Sequence, residues 1–227
     1  MIVLGIETST MQGGVALLSE EGLIAESFLS VEATHSERLL PAVDRTLAEA
    51  KLSLGELYGF AVAIGPGSFT GLRIGLSTAK SLSLATGKPL VGIPTLEAIA
   101  FGLPFCRWQI CPLLDARKKE VYCALFRFQD ETLLRIMEDS AITVETLVEK
   151  ITEPTVFLGD GLKTYGEVLT RCLGKLALFP PLARRFGSAA AVAELGLRRL
   201  LRGERDEAGS LVPRYIRPSE AELKSRT

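Results

Sequence analysis

The sequence predicts an α/β protein made of two related lobes, each a mixed β-sheet with helices on its faces. Three observations point there. The first hundred residues read strand, strand, strand, helix, strand, helix, strand, helix, an order that demands a mixed sheet covered by helices. The second half partly repeats the first: Ile110-Cys111-Pro112-Leu113-Leu114-Asp115 is an apolar run closed by an acid and a polar turn, as is Leu4-Gly5-Ile6-Glu7-Thr8-Ser9. A chain of 227 residues also buries roughly 70–75% of its unfolded surface, enough for a core without disulfide staples.

Each element has its own signal. Residues 2–7 are a buried strand, and the polar, glycine-bearing stretch 8–14 turns the chain. Residues 15–18 and 23–31 are two more strands, joined at Glu20-Glu21-Gly22. A helix over 34–50 starts at Thr34 as N-cap, with Glu37 completing a capping box. Its apolar set, Leu39, Leu40, Val43, Leu47 and Ala50, has helical spacing. Residues 60–64 form a strand, and a long helix over 68–85 stops at Gly87-Lys88-Pro89. A strand at 90–93 leads to a short helix capped by Thr95 and ending near Phe101. Pro104 marks the division, giving lobes 1–105 and 106–227. The second lobe holds strands at 110–117, 120–128, 132–138 and 155–158, helices at 143–151, around Tyr165 and at 189–202, and an extended tail over 211–218.

Composition excludes several classes of function. No apolar run reaches the roughly 18 residues of a membrane span. The N-terminus has no basic segment and meets Glu7 at once, so a secretion signal is not expected and the cytoplasm is the expected location. The chain has one histidine, His35. That excludes HExxH proteases, paired-histidine metal sites and Cys2His2 fingers. Cys106, Cys111, Cys123 and Cys172 form no CxxC pair and read as reduced, mostly buried side chains. The net charge of −1 does not suit a general nucleic-acid binder, but residues 184–227 carry ten Lys/Arg against six Asp/Glu. That basic tail is either a solvated face or a contact for RNA or an acidic partner.

The densest segment is Gly65-Pro66-Gly67-Ser68-Phe69-Thr70-Gly71-Leu72-Arg73-Ile74-Gly75. A strand ends, a Gly-Pro-Gly turn reverses the chain, and Ser68 opens a helix whose N-terminus favours an anion. It is neither a Walker A loop nor a GxGxxG fingerprint, since no Lys follows Gly71 and Thr70 stands where a glycine is required. Gly71, Gly75 and Ala79 recur every fourth residue on the helix, beside Leu72, Leu76 and Leu82. Glycine inside a helix costs about 1 kcal/mol relative to alanine, so another backbone must come close: the chain's own sheet or a second subunit.

Acids at strand ends form the other constellation. Glu7 and Asp115 occupy matching places in the two halves, and Asp160 lies in a Gly-Asp-Gly turn. Lobes built this way can bring carboxylates to Mg²⁺ and nucleotide phosphates. Glu7, Ser68 and Asp115 are therefore the candidate cofactor-binding residues. Against this, the turn Ala116-Arg117-Lys118-Lys119 is bulky and lacks glycine. No metal site and no catalytic residue is assigned.

The eleven-residue segment resembles the hallmark of the bacterial TsaB (YeaZ) family. Supporting pieces are Gly5-Ile6-Glu7-Thr8-Ser9, His35-Ser36-Glu37-Arg38-Leu39-Leu40-Pro41, Gly92-Ile93-Pro94-Thr95-Leu96, Asp115-Ala116-Arg117 with Glu120-Val121-Tyr122, and Pro213-Arg214-Tyr215-Ile216-Arg217. Glu7 stands where the family more usually has Asp. The resemblance implies an actin/Hsp70-like (ASKHA, ribonuclease H-like) fold. It also implies a part in making threonylcarbamoyladenosine at position 37 of tRNAs that read codons starting with A. In that family the paralogue TsaD performs the transfer and carries a metal-binding His-x-x-x-His. Here Leu39 stands four residues after His35, and there is no second histidine. The implied role is a non-catalytic subunit that pairs with TsaD, recruits the ATPase TsaE, and forms a homodimer when alone. The resemblance places the contact on the helices at 34–50 and 68–85, through His35, Leu39, Leu40, Val43, Leu47, Gly71, Leu72, Gly75, Ala79 and Leu82. No tightly bound cofactor is expected, although an ADP or ATP at a subunit junction is compatible with this role. tRNA would meet the assembled complex, with the basic tail as a second point of contact. The rival reading, from Glu7 and Asp115, is a stand-alone ASKHA-type small-molecule kinase or ATPase.

Overall fold

The computed structural model describes residues 1–30 and 35–217, with backbone only for residues 29, 30, 35 and 36. Thr34, the expected N-cap, and residues 218–227 lie outside the described residues. The chain forms two compact units, Met1–Ala98 with Gly187–Pro213, and Ile99–Phe186 with the segment from Arg214.

The first unit is built on β1 (Ile2–Glu7), β2 (Gln12–Ser19), β3 (Gly22–Ser30), β4 (Gly59–Gly65) and β5 (Leu90–Pro94). They lie in the order β3-β2-β1-β4-β5. The first three strands are antiparallel neighbours, while β4 and β5 run parallel to β1. Parallel neighbours need crossover connections, and these are α1 (His35–Glu49) and α2 (Phe69–Thr86).

Strand alternation sends side chains to both faces. Leu4 and Ile6 of β1 join Leu39, Val43 and Leu47 of α1 and Leu76 and Ala79 of α2 in one core. Val3 faces the other way, into a core with Val192, Ala193 and Leu197 of α6 (Ala189–Leu201). Here α6 lies almost flush on the sheet. A β-carbon on Gly5 would lie 2.5 Å from the Ala189 carbonyl oxygen, and one on Gly196 would lie 2.2 Å from the Ala61 β-carbon. Small residues on both surfaces permit this approach.

The second unit repeats the plan with β6 (Gln109–Asp115), β7 (Glu120–Gln129), β8 (Thr132–Thr143), β9 (Thr155–Leu158) and β10 (Ala177–Leu178). Their order is β8-β7-β6-β9-β10, the first sheet's order strand for strand. β6 is antiparallel to β7 and parallel to β9. Cys111, Leu113, Val121 and Cys123 pack with Val144 and Leu147 of α4 (Val144–Lys150) and Leu169 of α5 (Leu162–Leu173). The remaining helix is α3 (Thr95–Phe101).

Three expectations change. The lobe boundary at 105/106 assigns α6 to the second lobe, yet α6 packs on the first sheet. β8 continues to Thr143 because its ladder with β7 persists to the Glu120–Thr143 pair. β10 was missed, since two residues carry no periodic signal.

Candidate functional site

The GPGSFTG segment and the end of β1 come together in the first unit. β1 ends at Glu7, and Thr8 and Ser9 begin the turn into β2. β4 ends at Gly65, whose amide donates to Thr95 Oγ1 at 3.1 Å. The Gly65–Pro66 bond is cis. Gly67 then passes so close to Ser9 that a β-carbon would lie 2.3 Å from its carbonyl oxygen. Ser68 donates its amide to that same carbonyl at 2.6 Å and N-caps α2, accepting from the Gly71 amide at 3.2 Å. Thr8 Oγ1 donates to the Gly71 carbonyl at 2.8 Å. The first turn of α2 is thus fastened to the β1–β2 turn by backbone and side chain together.

Glu7 is only 2% exposed. Its Oε1 accepts from the Ser9 amide at 2.6 Å. Among the described residues Oε2 has no hydrogen-bond partner, and neither have the buried Ser9 Oγ and Gln12 Oε1. Burial pushes the Glu7 carboxyl up to about 7, against the smaller lowering effect of the adjacent Ser9. The second unit has the same device: Asp115 Oδ1 accepts from the Arg117 amide, two residues on, at 2.8 Å. A carboxylate at each strand end therefore closes the following turn, which accounts for the acid-turn repeat in the sequence. Asp160 Oδ1 in turn accepts from the Asp115 amide at 3.2 Å, and burial raises its carboxyl. Of the cofactor candidates, Glu7 is buried, Ser68 is a helix cap and Asp115 is half-buried. Among the described residues no three His, Cys, Asp or Glu side chains are grouped to hold a metal.

The small-residue stripe on α2 faces inward. Gly71, Leu72, Gly75, Leu76 and Ala79 are buried. Gly75 is seated on Thr8: a β-carbon there would lie 2.1 Å from Thr8 Oγ1. The close backbone approach is thus made by the chain's own turn. Leu39, Val43 and Leu47 likewise belong to the core, and Leu82 packs against it. The His35 side chain lies outside the described residues. Of the nine expected contact residues whose side chains are described, only Leu40, at 51%, is exposed. The solvent side of the two helices is made instead by Pro41, Asp44, Arg45 and Ala48 on α1 and by Arg73, Ser77, Ser81 and Leu84 on α2. Leu84 is 72% exposed. Sequence reasoning missed this surface; its signal is the i, i+4, i+8, i+11 row at 73, 77, 81 and 84, across the helix from the glycines.

Among the described residues no helix is long and apolar enough to cross a membrane. A family model described as TsaD, tRNA N6-adenosine threonylcarbamoyltransferase, matches residues 24–225. The tRNA threonylcarbamoyladenosine biosynthesis protein TsaB of Bacillus subtilis is 31% identical over 227 residues, covering 99% of this chain and 97% of that one. The solved structure of YeaZ from Pseudomonas aeruginosa superposes with a TM-score of 0.77 at 26% identity, covering 94% of this chain and 99% of that one. At the level of fold alone, component A of (R)-2-hydroxyglutaryl-CoA dehydratase from Acidaminococcus fermentans gives 0.52 at 13% identity, over 88% of this chain and 99% of that one. The duplicated sheet order is that of the actin/Hsp70-like fold, and the likeness to TsaB spans both units, so the chain belongs to the TsaB (YeaZ) family.

Proposed function

We propose that the chain is a non-catalytic subunit of the bacterial machinery that forms N6-threonylcarbamoyladenosine at position 37 of tRNAs reading codons that start with A. It works in the cytoplasm, pairs with a TsaD-like catalytic paralogue, recruits a TsaE-like ATPase and forms a homodimer when alone. One observation carries the reading: the likeness to a TsaB protein runs through nearly the whole of both chains. The single histidine supports a helper role, because the His-x-x-x-His that the resemblance assigns to TsaD cannot be formed. The proposed contact surface is the solvent side of α1 and α2, with Leu40 and Leu84 as its apolar points. No resident cofactor is assigned to the chain; an ADP or ATP at the junction would be held jointly with the partner.

The test is genetic and biochemical. Deleting the gene should remove threonylcarbamoyladenosine from digested tRNA measured by mass spectrometry. Reconstitution should require this chain, the paralogue and the ATPase together. Normal modification in the deletion strain refutes the reading. The rival, a stand-alone kinase or ATPase, rests on Glu7 and Asp115. It requires the isolated chain to bind ATP·Mg²⁺ in calorimetry and turn it over. Burial of Glu7 and its bond to Ser9 support the scaffold reading instead.

A further inference from the structure

Three buried oxygen atoms at the end of the first hairpin have no hydrogen-bond partner among the described residues: Glu7 Oε2, Ser9 Oγ and Gln12 Oε1. The residues that carry them are only 1–3% exposed. A buried polar atom left unpaired is costly, and folded proteins pair nearly all of them with protein groups or with ordered water.

The β1–β2 ladder brings the three together. Its last pair is Glu7–Gly14. Side chains alternate between faces, so Gln12, two residues from Gly14, shares the Glu7 face as its diagonal neighbour. Such neighbours lie roughly 7–8 Å apart, a gap that two long side chains narrow to the width of one small molecule. Gly14 is the residue between them on that face, and it contributes no side chain. Ser9 closes the group from the turn. Its amide donates to Glu7 Oε1 at 2.6 Å. Its hydroxyl stands near enough to oppose part of the rise that burial causes in the Glu7 carboxyl, yet is not bonded to it. Thr8, between Glu7 and Ser9, points the other way, to Gly71 and Gly75 of α2. On the Glu7 face, Val3 packs with α6, and a β-carbon on Gly5 would meet the Ala189 carbonyl. The three oxygens thus converge on the side of the sheet that α6 covers.

The chemistry of the group suits water. A single carboxyl, pushed up to about 7 by burial, offers a multivalent cation too little charge. A neutral Glu7 donates its O–H to a water, which donates in turn to Gln12 Oε1 and Ser9 Oγ. An ionised Glu7 accepts from the water instead, and Ser9 donates to it. Either way the water makes three hydrogen bonds, the usual number for a buried one. We propose that Glu7 Oε2, Ser9 Oγ and Gln12 Oε1 share one buried water molecule, which joins the end of β1 to the start of β2. That water also steadies the turn whose Ser9 carbonyl receives the Ser68 amide at 2.6 Å, and so helps to hold the start of α2.

The test uses the full chain. A high-resolution crystal structure should show one density peak within about 3.2 Å of all three oxygens, refining as water. Crystals grown in a rubidium salt should show no anomalous signal there. In solution, long-lived internal waters are counted by oxygen-17 magnetic relaxation dispersion. Gln12→Met keeps the length of the side chain and removes the acceptor, and Ser9→Ala removes the hydroxyl. Each variant should hold one long-lived water fewer than wild type. Together they should lower the urea midpoint by clearly less than the sum of the two single shifts, because the shared water is already gone. If a variant fails to fold, the wild-type density decides alone. Direct bonds from the three oxygens to one another or to another part of the chain, with no water between them, overturn the proposal. So does a rubidium signal, which makes the site one for a cation, and so do additive shifts with an unchanged water count.

Discussion

Gly75 and Thr8 are in mutual contact: the Gly75 position leaves 2.1 Å between a notional β-carbon and Thr8 Oγ1. That hydroxyl also holds the Gly71 carbonyl at 2.8 Å. Adding one methyl at 75 therefore forces Thr8 to rotate or α2 to lift, and either breaks the bond. Gly75→Ala should destabilise the protein by about 1–3 kcal/mol, the sum of overpacking and a lost buried hydrogen bond, less a small gain in helix propensity. Gly75→Leu should be worse and should unfold the first unit rather than merely disrupt association. Urea denaturation measures both. Thr8→Ala, which costs stability alone, should cost less in the Gly75→Ala background, and a double-mutant cycle reads that coupling.

Glu7 makes stability depend on pH in an uncommon direction for a carboxylate. Its carboxyl is raised from 4.5 to about 7 in the folded chain, mainly by burial. The folded state thus holds the proton more tightly than the unfolded state. Stability from this group is fully present below pH 4.5 and is lost as pH rises through 7. A shift of this size corresponds to roughly 3 kcal/mol. Glu7→Gln keeps an acceptor for the Ser9 amide and removes the charge. The variant should match wild type near pH 4.5 and exceed it at pH 8, measured by denaturation midpoints across that range. An equal pH dependence in both proteins would refute the assignment.

The duplication was legible because an apolar strand, an acid and a polar turn recur at Glu7 and Asp115, and both acids close their turns in the same way. Most strands and helices were legible from periodicity. The direction of the α2 stripe was not. A Gly-x-x-x-Gly-x-x-x-Ala row says that a backbone comes close, but it does not say whose, and Thr8 is 67 positions away from Gly75. The return of α6 to the first sheet was hidden for a related reason, since sequence order says nothing about which sheet a late helix covers. A faint signal existed in matched small surfaces: Gly5 and Ala61 on the sheet meet Ala189, Ala193 and Gly196 on α6. The exposed row of α2 was passed over because apolar spacing drew attention to the buried side.

That exposed row yields a test of association independent of folding. Leu40 and Leu84 are exposed, while the other leucines of the two helices, Leu39, Leu47, Leu72, Leu76 and Leu82, are buried or packed against the core. Substitution of either by Asp removes no core contact, so each single variant should stay within about 0.5 kcal/mol of wild type. The pair Leu40→Asp/Leu84→Asp should weaken binding to the catalytic paralogue, and self-association, by tenfold or more, read by sedimentation or size exclusion. Unchanged binding would move the interface off these two helices.

The packing of α6 predicts how the chain can be cut. Val3, Ala16, Ala61, Ala63, Val91 and Ile93 form the sheet face under α6, and without residues 187–213 that face is open to water. Arg199 adds a polar clasp, bonding the Gly92 carbonyl at 2.7 Å, while Asp206 accepts from the Gly92 amide at 2.7 Å. An isolated fragment 1–105, the lobe expected from sequence, should therefore bind hydrophobic dyes and aggregate, as an uncovered apolar sheet face does. The same fragment joined by a flexible linker to residues 187–213 should unfold cooperatively, with amide protection restored in β1 and β4. Cooperative unfolding of 1–105 alone would show that α6 is dispensable and that the boundary near residue 105 is a real one.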